Sequence, residues 1–400
     1  MKNDKELVQL IQQKAKELFP RLVEIRRYLH ANPELSFQEY NTSAFIKGIL
    51  KEHEIAFTDQ WVRTGIVAEI GNQTTYQSTV ALRADMDALP IQEQNETAYK
   101  SVNEGIMHAC GHDVHSTCLL GALMILKSLD IEWHNRMIGI FQPGEEKLPG
   151  GAALMITEGL LDQYKPDDIF GLHVQPQMEV GNVGFCPGQS MASSDEIYIK
   201  VIGKGGHAAM PHLLVDPILI ASRIVTGIQE IISRNADPMS PCVLSFGKFR
   251  SEGGATNVIP DSVKLEGTFR AMDETWRSKA HILIRQFICE TCAASGGRCE
   301  IDIVRGYPCL VNNDGTYNYG KQQAMCYLGE DKVLPLPPRM TSEDFAYYSQ
   351  QVPALFFRLG TGRAGLDYIT PVHTACFDVD EHCLEIGAGL MAYLAAQKMI

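Results

Sequence analysis

Three histidines, one cysteine and one aspartate fall within the eight residues His108-Ala-Cys-Gly-His112-Asp-Val-His115. Borderline-soft transition ions such as zinc, manganese and cobalt bind thiolate and imidazole in close groups. Cys110 and His112 are two apart, a spacing that can aim both side chains at one point from a loop or strand end. Gly111 between them removes the Cβ barrier to an unusual backbone angle. An apolar helical pattern follows at once, and Asp113 suits its first turn, where a carboxylate can accept orphan N–H groups. The alternative is a buried thiol flanked by helix-capping polar residues.

Further ligand-type residues stand at apparent strand ends. Gln142-Pro-Gly-Glu145-Glu146 closes a strand pattern, His173 sits on another, and His373 follows a third. With Cys110 and His112 this makes five metal-type ligands: Cys110, His112, Glu146, His173 and His373. A hydrolytic site of this kind holds two cations about 3.5–4 Å apart that share a water, lower its pKa and polarise a carbonyl. Adjacent side chains of an extended segment point opposite ways. One of Glu145 and Glu146 can then bind metal while the other takes a proton from the water.

The elements needed to position these residues are legible as alternating patterns. A helix is expected over 5–30, with Leu7, Leu10, Ile11 and Ala15 on one face, and a second from a cap at Asn41-Thr42 to about Glu52. Strands are expected at Ile66–Ile70, Thr79–Ala84, Met137–Phe141, Ile169–Val174 and Ala354–Leu359, with a helix after His115 and a C-terminal helix at Asp380–Lys398. Strand–helix alternation implies an α/β, doubly wound, mostly parallel sheet, and open sheets of this kind place chemistry at strand C-terminal ends, where Asp85 and Asp87 fall. From about Val183 the rhythm changes. Strands at Asp195–Ile202, Val243–Phe249 and Val263–Arg270 and helices at Pro217–Arg234 and Asp273–Ser295 form an inserted α+β unit. The expected division is 1–183 and 299–400 for the metal-binding domain and 184–298 for the insert.

Four hundred residues are long enough for two such domains. A net charge of −13 and a pI near 5.4 argue against nucleic acid or an anionic membrane as partner. The polar residues Met1-Lys-Asn-Asp-Lys-Glu-Leu give no expectation of a secretory leader, and no apolar run reaches membrane-spanning length. Eleven scattered cysteines fit free thiols in a reducing cytoplasm.

The chain resembles the M20 metallopeptidases, and within them the amidohydrolase branch: hippurate, N-acyl-amino-acid, N-acetyldiaminopimelate and auxin-conjugate hydrolases. The resemblance runs through Leu29-His-Ala-Asn-Pro-Glu-Leu35, Arg83-Ala-Asp-Met-Asp-Ala-Leu-Pro90, His108 to His115, Phe141-Gln-Pro-Gly-Glu-Glu146 and Gly171-Leu-His173. It continues in Gly205-Gly-His-Ala208, Asn257-Val-Ile-Pro260, Thr341-Ser-Glu-Asp-Phe345 and Val372-His-Thr374. It implies that Cys110, His112, Glu146, His173 and His373 bind two divalent ions per subunit. Manganese, zinc and cobalt all fit, because thiolate favours softer ions and carboxylate discriminates little. It implies Glu145 as general base and then acid, and Asp87 as the aspartate that orients a metal-binding imidazole. The implied substrate is a small N-acyl amino acid or similar amide conjugate.

The insert matches the family's ferredoxin-like lid and dimerisation domain, which implies a homodimer. There His207 and Asn257 resemble residues that reach the substrate, His207 as an oxyanion donor. Arg270 either pairs with a substrate carboxylate or is a surface charge. Many M20 peptidases carry His-x-Asp where this chain has Asp85-x-Asp87, a mark of the cysteine-containing branch. Relatives often have Pro after Thr374, where this chain has Ala375. A dipeptidase or carboxypeptidase, or an inactive ligand-binding relative, are the alternatives. The Cys-Gly-His motif and the retained Glu145 argue against them. Cys289-x-x-Cys292, with Cys299 and Cys309 downstream, lies in a helical pattern and reads as buried thiols in preference to a second metal site.

Overall fold

The computed structural model describes residues 4–72, 74–363 and 370–400. It divides into two compact units, Met1–Gly188 with Val311–Pro337 and Asp344–Ile400, and Gln189–Leu310 with Pro338–Glu343.

The first unit begins with helices α1 (Asp4–Ala31) and α2 (Tyr40–Glu52) and strands β1 (Ala56–Trp61), β2 (Gly65–Gly71) and β3 (Thr79–Asp85). Helix α3 (His112–Ser128), β4 (Arg136–Gln142), β5 (Asp168–Glu179) and β6 (Val183–Phe185) follow. The sheet runs β1-β2-β4-β3-β5, then Ala354–Gly362, β6 and Val333–Pro335. Its centre, from β4 to Ala354–Gly362, is parallel. The β1–β2 and β2–β4 pairs are antiparallel, as is β6 with Ala354–Gly362. Every residue of β3 and β4 is buried, as expected of parallel strands covered on both faces. Helix α3 is buried from His112 to Leu126. A Cβ on Gly121 would lie 2.6 Å from Ala388 and 2.9 Å from Leu22, so α1 and the helix Cys383–Met399 press directly on it.

In the second unit an antiparallel sheet runs Cys242–Ser251, Ser262–Ala271, Asp195–Ile202, Arg298–Arg305. Helices Pro217–Gly227, Gln229–Asn235 and Glu274–Ala294 complete it. This β-α-β-β-α-β order is ferredoxin-like. Alternation in Asp195–Ile202 turns Ile197, Ile199 and Val201 into the unit's own core.

Several sequence expectations need correction. The expected boundary at 299 falls inside Arg298–Arg305, which pairs with Asp195–Ile202 along its whole length. The expected boundary at 184 falls inside β6, which pairs with Arg358 and Leu359 of the first unit. The helix expected over Pro217–Arg234 is two helices joined at Ile228. The strand β1 was not expected, because an exposed edge strand shows no clean alternation. Asn41-Thr42 does not cap α2. Glu34, seven residues earlier than Asn41, accepts from the Asn41 and Thr42 amides instead, at 3.1 and 2.8 Å.

Candidate metal centre

β3 and β4 are neighbouring parallel strands, in register from Thr79 with Arg136 to Asp85 with Gln142. Their C-terminal ends therefore deliver Asp85, Asp87, Glu145 and Glu146 to one place. Helix α3 starts beside them. Its first residue is His112, and its N-cap is Gly111 at φ 88°. A Cβ there would meet Val174 at 2.6 Å, so only glycine brings Cys110 and His112 this close to β5, the strand that carries His173. Gly144, at φ 63°, packs against the Phe37 ring in the same way.

Asp87 organises the pair of glutamates. Its two carboxylate oxygens accept from the Glu145 and Glu146 amides, each at 3.0 Å. The Ser36 hydroxyl donates to it at 2.6 Å, and Oδ1 lies 3.3 Å from His112 Nδ1. It thus faces the imidazole and also sets the backbone that carries both carboxylates. Burial works to raise its pKa, but the His112 and Ser36 contacts outweigh this and hold it below the usual range.

The five ligand-type residues converge. The Cys110 Sγ lies 3.4 Å from His173 Nε2 and 3.3 Å from His373 Nε2. Glu146 Oε1 lies 3.3 Å from His373 Nε2 and 3.9 Å from His112 Nε2. Cys110, His112 and His173 form one buried donor group, and Cys110, Glu146 and His373 form another, with donor atoms all within 4.8 Å of one another in each. His373 adopts φ 63°, a strained angle for a residue with a side chain. Its amide donates to the Ala109 carbonyl at 2.7 Å, which ties it to the Cys110 loop.

Tautomers follow from backbone partners. The Val174 carbonyl can only accept, so His173 donates to it from Nδ1 at 2.8 Å and turns a bare Nε2 toward Cys110. Burial and then the Arg358 charge keep His173 neutral. The Val174 amide donates to His115 Nε2 at 3.0 Å, so His115 donates from Nδ1 to Asp85 Oδ1 at 2.6 Å. Both nitrogens of His115 are occupied, which removes it as a ligand and makes it a brace between β3 and β5. Asp85 also receives Arg83 at 2.7 Å. Burial opposes its charge, but His112, His115 and Arg83 keep it ionised.

Divalent cations fit these residues. His112 Nε2 and Glu146 Oε1 are buried without a hydrogen-bond partner among the described residues, a state native proteins seldom leave uncompensated. Burial, then Glu146, Glu145 and Asp85, push the Cys110 thiol well up. Burial lowers His112, yet Asp85, Asp87 and Glu146 outweigh it and push the imidazole up to about 10. A cluster in which acids crowd a thiol and draw protons onto an imidazole is one that a cation would relieve.

Other parts were hidden from the sequence. Glu39 accepts from the Gly144 amide at 2.9 Å and the Thr64 hydroxyl at 2.8 Å. Burial and then Asp87 push it up to about 7. No motif or spacing marks it. Asp344 is fully buried and accepts from Arg83 at 2.6 Å, Gln142 at 2.7 Å and the Ala152 amide at 3.0 Å. Asp113 is not the helix cap its position suggested: one oxygen accepts from Arg26 at 2.9 Å and His30 at 2.8 Å.

His207, Asn257 and Arg270 lie in the second unit. His207 pairs with Val258 in a two-stranded ladder, and the Asn257 carbonyl accepts from the Ala208 amide, so the two candidate contacts are adjacent. Arg270 is not a free surface charge. It is half-buried and donates to the Ser342 hydroxyl at 3.1 Å, and burial lowers its pKa.

Parallel strands that end in a buried Cys/His/Glu cluster beside a further carboxylate define a metallohydrolase. Residues 81–397 match the family Peptidase family M20/M25/M40, and the chain belongs to it. It is 37% identical over 97% of its length to the IAA-amino acid hydrolase ILR1-like 4 of Arabidopsis thaliana, covering 88% of that protein. It is also 37% identical over 95% of its length to the N-acetyl-L-cysteine deacetylase of Bacillus subtilis, again covering 88%. Among solved structures it matches the Bacillus subtilis YXEP protein, a dinuclear metal binding peptidase from M20 family, with TM-score 0.81 and 32% identity over 96% of this chain and 99% of that one.

Proposed function

We propose that this chain is a metal-dependent amidohydrolase that cleaves the amide bond of N-acyl amino acids or similar conjugates. The observation that carries this is one buried thiol, Cys110, common to two donor groups with Glu145 alongside. Cys110, His112 and His173 would hold one divalent ion and Cys110, Glu146 and His373 a second, with manganese, zinc or cobalt suited to the donors. Such ions supply Lewis acidity and lower the pKa of water.

Glu145 is the general base. Glu146 Oε1 is buried without a hydrogen-bond partner among the described residues and faces His373, as suits a ligand. Glu145 Oε1 accepts from the Asp344 amide at 3.4 Å, as suits a carboxylate held in place for proton transfer. Glu145 takes a proton from the attacking water and returns it to the departing nitrogen, since an amide leaves poorly without one. Asp87 fixes both glutamates and orients His112.

In the second unit His207, Asn257 and Arg270 are proposed substrate contacts. The Ala209 amide donates to His207 Nδ1 at 3.1 Å, which leaves the exposed Nε2 of the neutral ring as the N–H donor for a carbonyl oxygen. A homodimer through this unit is supported by the exposed edge strand Cys242–Ser251, with Val243 and Phe249 on its surface. A cytoplasmic setting is supported by eleven free cysteines.

The test is a panel of N-acyl amino acids against dipeptides, assayed before and after exhaustive chelation. Hydrolysis of the N-acyl substrates that is lost on chelation and restored by manganese, zinc or cobalt is expected. Activity that survives in metal-free protein, or that is confined to dipeptides, would sink the proposal.

A further inference from the structure

Away from the metal centre, three cysteines of the second unit gather where the helix Glu274–Ala294 turns into the edge strand Arg298–Arg305. Cys289 is exposed, Cys299 half-buried and Cys292 buried. The turn is fixed: the Ser295 and Gly297 amides donate to the Cys292 carbonyl and the Gly296 amide to that of Ala293, with Gly296 at φ 72°. The strand then pairs with Asp195–Ile202 from its first residue. The last turns of the helix and the start of the strand are thereby held side by side, and the Cys289 and Cys299 sulfurs lie 3.7 Å apart.

We propose that Cys289 and Cys299 form a reversible oxidation site, a dithiol that closes to a disulfide on reaction with a peroxide. The sulfurs must approach from 3.7 Å to about 2.05 Å, across a loop whose ends the fold already holds together. Burial and the adjoining thiols push Cys299 up to about 12, so the exposed Cys289 reacts first. Its thiolate attacks the peroxide: an S–O bond forms, the O–O bond breaks, and the alcohol, or water from hydrogen peroxide, departs. The Cys299 sulfur then attacks the Cys289 sulfur. The S–S bond forms, the S–O bond breaks, and hydroxide leaves with the Cys299 proton as water. Two thiols are oxidised by two electrons and one peroxide is reduced. Small thiols reverse the step by exchange. Cys292 also contacts Cys299, but it is buried where Cys289 is exposed, so Cys289 is the thiol a peroxide reaches. The pairing crosses from helix to strand, and the Cys-x-x-Cys spacing of the sequence misdirects attention to it.

The experiment exposes the full chain to hydrogen peroxide, alkylates the remaining thiols, digests it and reads the peptides by mass spectrometry. A Cys289–Cys299 crosslinked peptide, lighter by two hydrogens and lost on treatment with dithiothreitol, is the expected product. Cys292→Ser should retain it, while Cys289→Ser and Cys299→Ser should each abolish it. Recovery of Cys289 alkylated or over-oxidised without the crosslink overturns the proposal. So does a crosslink from Cys289 to Cys292, or one that persists in Cys299→Ser.

Discussion

Two clusters of buried charge, one in each unit, can be set side by side. In the second unit Asp195 receives Arg277 on both oxygens, His281 at 2.6 Å and the Gly306 amide at 3.1 Å. Arg277 spends its remaining donors on Glu274 and the Gly306 carbonyl. In the first unit Arg83, Asp85, Asp87, His112, Glu145, Glu146 and Asp344 are packed as closely, yet His112 and Glu146 keep buried atoms without partners among the described residues. Both clusters bury ions, which is costly unless compensated. One is closed by its own side chains and braces a fold. The other is closed on all sides except toward the ligand atoms, and that open coordination is what separates a site from a strut.

The sharpest break of this contrast comes from the adjacent glutamates. Glu145→Gln should keep fold and metal content and lower turnover of an N-acyl amino acid by at least about 10²–10⁴-fold, the usual contribution of a general acid–base group. Glu146→Gln should lose metal as well as rate, read by metal analysis of the purified variant. A Glu145→Gln protein that is empty of metal beside a Glu146→Gln protein that is full would reverse the assignment. In the second unit the corresponding change should cost stability alone. Asp195→Asn takes one of two carboxylates from the buried Arg277 and leaves it Glu274, a loss of up to about 3–5 kcal/mol measurable by denaturant unfolding. Metal content at low temperature should be unchanged. Coupled loss of metal would show that the two clusters are not separate.

A smaller effect tests the brace between strands. His115→Phe removes the link from Asp85 to the Val174 amide while leaving all five donor residues. Groups that orient ligands typically contribute about 10–100-fold to metal affinity, so competition with a chelator should show a shift of that size. An unchanged affinity would make His115 simple core packing.

How much of this could be read from the sequence depended on whether a contact is local. Strand limits such as Asp195–Ile202 and the five converging ligand-type residues were legible, because alternation and strand ends are local patterns. The pairing of Arg83 with Asp85 was not read, although alternate residues of a strand face one way. Glu39, Ser36 and Glu34 could not be read, because each acts across the fold on an amide or carboxylate that its own neighbours do not reveal. The same holds for Asp113. Its place at a helix start suggested a cap, but Arg26 and His30 of α1 are stronger partners than backbone amides. Cys299 shows the failure most plainly, because its partner lies across a turn and not within the conspicuous motif.

The smallest prediction concerns acid. Burial works to raise the Asp195 pKa, but the hydrogen bonds from Arg277 and His281 prevail and hold it at about 2. In the unfolded chain an aspartate titrates at about 3.9. A carboxylate whose folded pKa is depressed contributes stability that is fully present above the unfolded value and is lost as pH falls through the folded one. The closed cluster should therefore stabilise the second unit evenly down to about pH 4 and release that contribution between about pH 4 and pH 2. The denaturant midpoint of the wild-type chain, followed over this window, should fall more steeply than that of Asp195→Asn, which has no proton to gain there. Parallel slopes in the two proteins would mean that the Asp195 charge is not what Arg277 and His281 hold in place.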